Sequence, residues 1–243
     1  LEGSATLATP NIIAGQNLYI AAKSAGTEEH PLVLWLKANT FNGHIEAENA
    51  YLDFIVPDGS SASIGRADNF FRVDVSGIFS IRNLRSSDFT AYLEADHTYT
   101  LEFRNAGDIS GAVRMTDGDL TINTSGHLGS ESGEFEVDSS RKVRINSRYN
   151  AYIKAKSKIG TEFIANLPDD ADLYLYTVWG SGTSVSSDHE GNRKVNLFYG
   201  GTDLVVQSEN GITEFEITQV DGSYDSKSYV PPYLYLKSYT PLG

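Results

Sequence analysis

Apolar and polar residues alternate along most of this chain. Phe71-Arg-Val73-Asp-Val75 is one clean run and Tyr99-Thr-Leu101-Glu-Phe103 is another. Val113-Arg-Met115, Leu120-Thr-Ile122, Phe135-Glu-Val137 and Val143-Arg-Ile145 follow the same rule. A period of two places the apolar side chains on one face of a strand and the polar ones on the other, which predicts strands buried on one side. Helical spacing is scarce. The best stretch, residues 12–25, contains Gly15 and carries no sustained i, i+3, i+4, i+7 stripe, so at most a turn or two is predicted there. The fold class that follows is all-β.

Turn dipeptides punctuate the runs: Asn42-Gly43, Asp58-Gly59, Asp117-Gly118, Asn210-Gly211 and Asp221-Gly222. Each can supply the positive φ of a tight turn. A Gly-x-apolar-x-apolar unit recurs as Gly43-His-Ile-Glu-Ala, Gly77-Ile-Phe-Ser-Ile, Gly118-Asp-Leu-Thr-Ile and Gly133-Glu-Phe-Glu-Val. The spacings between these glycines are unequal, which argues against a solenoid of fixed repeat. Each strand also offers only two or three inward apolar residues, a thin face for a core made by one chain. Three chains wound about one axis would pool such faces and leave few free edges. The expectation is therefore an elongated, intertwined, homotrimeric β fibre of short strands and turns, with a monomeric sandwich or β-helix as the alternative.

Three zones follow from texture. Residues 1–57 form an N-terminal region with a dense apolar run, Leu32-Val-Leu-Trp-Leu36, and open on Leu1-Glu2-Gly3-Ser4, which reads as a linker scar on a piece of a longer protein. Residues 58–167 form a repetitive shaft. Proline is absent between Pro57 and Pro168, so this stretch can donate its backbone N–H groups to a ladder throughout. Residues 168–243 form a distal region, where Leu173-Tyr-Leu-Tyr-Thr-Val-Trp179 reads as a strand covered on both faces, and they end in a Tyr/Pro-rich tail.

Composition narrows the chemistry. The chain has 243 residues and no cysteine, so disulfides and thiolate metal sites are excluded. A net charge of −13 argues against nucleic acid as partner. No apolar run reaches the roughly 20 residues of a spanning helix, and no membrane insertion is expected.

The segment Asn69-Phe-Phe-Arg-Val-Asp-Val-Ser-Gly-Ile-Phe-Ser-Ile-Arg82 has a Phe-x-Val-x-x-x-Gly-x-apolar-x-Ile cadence. Residues 111–122 and 133–145 are similar. In this the chain resembles bacteriophage tail-fibre shafts, and more narrowly the shaft and tip region of the distal subunit of a T-even-like long fibre, over about residues 40–220. The paired, metal-binding histidines of such tips are missing, because His30, His44, His97, His127 and His189 are isolated. The resemblance implies a homotrimeric virion component of extracellular location. It would attach to the host directly or carry a tip adhesin or neighbouring fibre subunit. Its partners would be a surface glycan, lipopolysaccharide or an outer-membrane protein.

Candidate binding residues lie where the pattern breaks. Arg141, Lys142, Arg144, Arg148, Lys154, Lys156 and Lys158 are 7 of the 19 basic residues, with no acid between Asp138 and Glu162. They would form a positive collar attracting anionic polysaccharide or lipopolysaccharide phosphate, against the alternative of a solvated face that deters edge pairing. The loop 180–191, with His189 and the neighbouring Trp179, is a recognition element in which the indole could stack on a sugar, or else a plain surface loop beside a core tryptophan. Tyr229, Tyr233, Tyr235 and Tyr239, set among Pro231, Pro232 and Pro241, suit docking onto a sister chain or a partner.

Carboxylate pairs for glycoside hydrolysis could be Glu94/Asp96, Asp117/Asp119 or Asp170/Asp172, but scattered acids of equal parity occur in any chain this acidic. Asp117 and Asp119 also flank a turn glycine. No nucleophile elbow, phosphate loop or His-Glu-x-x-His occurs. The expectation is a non-enzymatic, structural and receptor-directed protein without metal or cofactor. A monomeric bacterial surface adhesin or carbohydrate-binding β domain is the runner-up, and a polysaccharide-degrading tailspike comes third.

Overall fold

A computed structural model describes residues 6–7, 11–14, 17–36, 40–55, 61–83, 88–95, 98, 100–105, 107–115, 117–139, 141–156, 161–168, 170–177, 183–186, 193–199, 204–208, 212–219 and 234–238. The alternating runs are strands, and no helix occurs among the described residues. They form two parallel sheets, one of 13 strands and one of 11. From Ile78 onward successive strands alternate between the two. Ile78–Asn83 lies in the larger sheet, Phe89–Ala95 in the smaller, Thr100–Asn105 in the larger and Ile109–Met115 in the smaller. Each strand pairs with the next one in its own sheet: Phe89 stands beside Ile109, and Leu101 beside Leu120. The chain is thus a β-solenoid, each rung giving one strand to each sheet.

The core lies between the sheets. Phe79, Leu101, Leu120, Val143, Phe163 and Val185 stack in register along the larger sheet, with Ile81, Phe103, Ile122 and Ile145 in the next inward column. Phe71, Leu93, Val113 and Val137 answer them from the smaller sheet. Rings cross the gap: Phe89 lies 6.0 Å from Phe54 and 6.4 Å from Phe103 of the opposite sheet. Burying one such phenylalanine contributes about 2–3 kcal/mol. All of these side chains are buried within a single chain.

That arrangement corrects three sequence expectations. A solenoid forms despite unequal glycine spacing, because the corners vary in length while the strands stay in register. The offset between paired residues runs from about 18 (Phe135 beside Ile153) to about 30 (Leu204 beside Leu234). The thin apolar face of each strand meets the apolar face of the opposite sheet, so a core forms within one chain. Residues 173–177 are not covered on both faces: Leu173 and Leu175 are buried, whereas Tyr174 and Tyr176 point outward and are half-buried. Residues 12–25, for which at most a turn or two of helix is predicted, carry the strands Asn11–Ala14, Asn17–Ala21 and Ser24–Ala25, which agrees with that expectation.

Corners are held by short polar side chains. Asp88, Asp108, His127, Asn150 and Asp172 each precede a residue paired into the smaller sheet. The Asp108 carboxylate accepts the His127 N–H at 2.7 Å, and the Asn150 amide oxygen accepts the Asp172 N–H at 2.9 Å. At the end of the larger sheet's strands, inward Asn105, Thr124 and Ser147 turn to the backbone. Asn105 donates to the Gly107 carbonyl at 2.8 Å, and the Ser147 hydroxyl to that of Gly126 at 2.9 Å. These side chains satisfy corner carbonyls that the sheet ladder leaves unpaired.

Candidate functional site

The two outward faces differ. On the larger sheet, Asp53, Arg82, Arg104, Asn123, Asn146 and Asn166 form one register column. Arg82 makes a bidentate pair with Asp53, at 2.5 and 2.9 Å. Arg104 donates to Glu102 at 2.9 Å, and Glu102 also accepts from Asn123 at 3.2 Å. Asn146 donates to Asn123 at 2.7 Å, and Asn166 to Asn146 at 2.8 Å. Side chains on this face satisfy one another from rung to rung. Donation of the Arg82 guanidinium to the Asp53 carboxylate raises the Arg82 pKa, against the opposing effect of burial.

The basic stretch is divided between the two faces. Lys142 and Arg144 stand on Lys142–Ser147 of the larger sheet, and Lys154 on Ala151–Ala155 of the smaller. Arg141 lies 3.7 Å from Asp117 and 3.6 Å from Asp119. Lys142 lies 3.5 Å from Glu162, and Glu136 receives both Lys154 at 3.9 Å and Lys156 at 2.5 Å. Arg148 sits over the ring of Tyr149 at 5.9 Å, and Tyr149 stacks on His127 at 5.0 Å. Acids from neighbouring rungs therefore pair with Arg141, Lys142, Lys154 and Lys156, although none is close in sequence.

Lys158, Trp179, His189, Tyr229, Tyr233 and Tyr239 lie outside the described residues, as do Asp96, Asp58-Gly59, Asn210-Gly211 and Asp221-Gly222. Tyr235 belongs to the strand Leu234–Ser238, which pairs with Leu204–Ser208. Of the carboxylate pairs, Asp117 and Asp119 share Arg141, and Asp172 accepts from the Tyr174 hydroxyl at 3.4 Å while Asp170 is exposed. No cluster of three or more metal-ligating side chains occurs among the described residues.

The smaller sheet carries a feature that the sequence reading missed. Ile64 pairs with Ala91 and Phe71 with Leu93, so the six residues between them leave the sheet opposite the single residue Tyr92. Leu128 and Phe135 flank Ala151 and Ile153 likewise, and six residues leave opposite Tyr152. Both excursions close as the same tight hairpin. Arg66 and Asn69 exchange backbone hydrogen bonds at 2.9 and 3.0 Å, and Ser130 and Gly133 at 2.9 and 3.1 Å. Both begin on a glycine of positive φ, Gly65 at 70° and Gly129 at 67°. The strand one rung before each excursion holds another, Gly43 or Gly111, against a preceding strand whose backbone leaves no room for a Cβ.

The copies align at a constant 64 residues: Ile64/Leu128, Gly65/Gly129, Phe71/Phe135, Val73/Val137 and Asp74/Asp138. Phe79/Val143 and Ile81/Ile145 extend the match into the next strand. An apolar-Gly-x5-Phe-x-Val-Asp search would have found it. Inward positions agree, whereas the exposed ones, 66–70 and 130–134, differ in chemistry. In the first copy Phe70 meets Tyr92 edge-on at 5.6 Å, and the Arg114 guanidinium lies 3.9 Å from the Phe70 ring centre. In the second, Glu134 replaces Phe70, and Tyr152 stacks on Tyr174 at 4.5 Å. Burial first, then the charges of Glu134 and Glu131, raise the Tyr176 pKa above its ordinary value.

No protein-family model matches this chain, and neither does any curated protein or solved structure.

Proposed function

We propose that this chain is a non-catalytic attachment module: a structural, receptor-directed segment of a phage tail fibre that acts as a rigid spacer and presents recognition elements on one side. The observation that carries this reading is the asymmetry of the two faces. The larger sheet turns outward a ladder whose polar groups are used up on one another. The smaller sheet turns outward two hairpins of equal backbone and unequal exposed chemistry. A constant scaffold bearing variable turns suits recognition, because binding residues concentrate on loops held by a rigid frame. Strand spacing gives the larger sheet a length of roughly 50 Å along the solenoid axis, at about 4.8 Å per step.

The segments on which the tail-fibre reading rests share one place in the fold. The three segments that carry it, 69–82, 111–122 and 133–145, each run from a strand of the smaller sheet around a corner into the larger one. A second reading, a monomeric surface adhesin or carbohydrate-binding domain, is favoured by the closure of the core within one chain.

Labelled chain incubated with a panel of bacterial strains tests attachment, and saturable binding to at least one strain is expected. Sedimentation separates the two readings. A trimer supports the fibre, and a monomer overturns it in favour of the adhesin. Binding to no strain overturns both.

A further inference from the structure

Tyr152 and Tyr174 are register partners on adjacent strands of the smaller sheet, Ala151–Ala155 and Leu173–Thr177. Both point outward and are half-buried. Their ring centres lie 4.5 Å apart, with the planes 9° from parallel. By contrast, Tyr92 meets Phe70 edge-on at 73°, and Tyr149 stacks on an imidazole. A side chain two residues earlier holds each phenol of the pair. The Tyr174 hydroxyl donates to the Asp172 carboxylate at 3.4 Å, and the Tyr152 oxygen accepts from the Asn150 amide at 3.4 Å.

Oxidants ordinarily reach cysteine and methionine first. This chain has no cysteine, and its one methionine, Met115, is buried. One-electron oxidation therefore falls on aromatic side chains. A phenol sheds its proton as it loses an electron, and the Asp172 carboxylate is placed to take that proton from Tyr174. The parallel Tyr152 ring is then the nearest partner for the radical. We infer that Tyr152 and Tyr174 form an oxidative coupling site, which a one-electron oxidant joins into an intramolecular dityrosine. Each ring gives one electron to the oxidant; Tyr174 passes its phenol proton to Asp172, and Tyr152 passes its own to water. The two phenoxyl radicals join through ortho carbons, and the hydrogens on those carbons move to the oxygens, restoring two phenols. The pair loses two electrons and two protons in all. The new carbon–carbon bond ties one rung to the next across about 22 residues, a covalent staple in a chain that can form no disulfide.

Dilute full-length chain exposed to a photogenerated one-electron oxidant tests this. The parent should gain dityrosine emission, lose the mass of two hydrogens and stay a single chain on denaturing electrophoresis. Fragmentation by mass spectrometry should place the bond between Tyr152 and Tyr174, and its yield should fall tenfold or more when the chain is oxidised in denaturant. Tyr152→Phe and Tyr174→Phe keep a ring in the stack and should each lower the emission tenfold or more. Tyr92→Phe should leave it unchanged. Asp172→Asn removes the proton acceptor and should slow coupling severalfold, with the difference from the parent vanishing in alkali, where the phenol is already ionised. A bond located elsewhere, coupling only between chains, or oxidation confined to oxygen addition at the exposed Trp35 overturns the site. Emission that survives in either phenylalanine variant at the stack, or an equal yield of the bond in denaturant, overturns it as well.

Discussion

Gly65 and Gly129 hold the same place in two copies of one three-rung module. Each has a φ near +70°, and each lies against the carbonyl oxygen of a tyrosine one rung further on, Tyr92 for the first and Tyr152 for the second. A Cβ at either position would collide with that oxygen. The left-handed conformation alone costs a non-glycine residue about 1–2 kcal/mol. Gly65→Ala and Gly129→Ala should therefore each destabilise the chain by at least that much, and chemical denaturation would record it. Ala67→Gly, at the exposed tip of the first hairpin, should change stability by under about 0.5 kcal/mol.

Removing a large ring from between the sheets should cost more. Phe103 is buried and touches Phe89 across the core, so Phe103→Ala should destabilise by about 3–5 kcal/mol. At roughly 2–4 °C per kcal/mol for a chain of this size, the melting temperature should fall by about 6–20 °C. A fall of a degree or less would mean that the two sheets do not pack as described.

The asparagine ladder makes a graded prediction. Asn146 donates to Asn123 and accepts from Asn166, so Asn146→Ala breaks two hydrogen bonds at once. The site is half-buried, and the loss should be about 1–2 kcal/mol. Asn166→Ala removes the bond to Asn146 and leaves that from Asn146 to Asn123. The double variant should lose less than the two single losses added, because their shared bond is lost only once, and strictly additive losses would show that the two residues are not coupled.

Alkali should titrate the tyrosines unevenly. The Tyr51 pKa is raised by burial and by the charges of Glu28 and Glu102, and that of Tyr176 by burial, Glu134 and Glu131. Both lie above the ordinary value of 10.0, so the folded chain holds these protons more tightly than the unfolded one. Their contribution to stability is present below pH 10 and is lost as the pH rises through the raised values. Absorbance of phenolate against pH should lose one late-ionising tyrosine in Tyr51→Phe and one in Tyr176→Phe.

Much of the strand content was legible in the chain. Residues 71–75 and 135–139 read as one-sided strands and are so, because burial on one face imposes period two wherever the strand lies. What stayed hidden was the partnering. Alternation does not say whether a thin apolar face meets another chain or another sheet of its own chain, and the second holds here. Two insertions of unequal offset from their neighbours masked the solenoid period, and the 64-residue repeat emerges only when one copy is laid on the other. The tyrosines of residues 173–177 misled because an outward Tyr174–Tyr152 stack looks apolar in sequence while its hydroxyls bond Asp172 and Asn150. The charge balance around Lys142, Lys154 and Lys156 was illegible for a related reason, since their acids lie about 20 residues away along the chain and one strand away in space.

The replacement of one sheet position by six residues has a topological consequence. Ile64 and Phe71 both point inward, as Leu128 and Phe135 do, so the detour neither shifts the pairing register nor flips the strand that follows it. Its length and composition are decoupled from the frame. A hairpin at either site could lengthen, shorten or exchange its residues while every inward column kept its partners. The solenoid thus carries two sockets where new surface can be installed without renegotiating the fold.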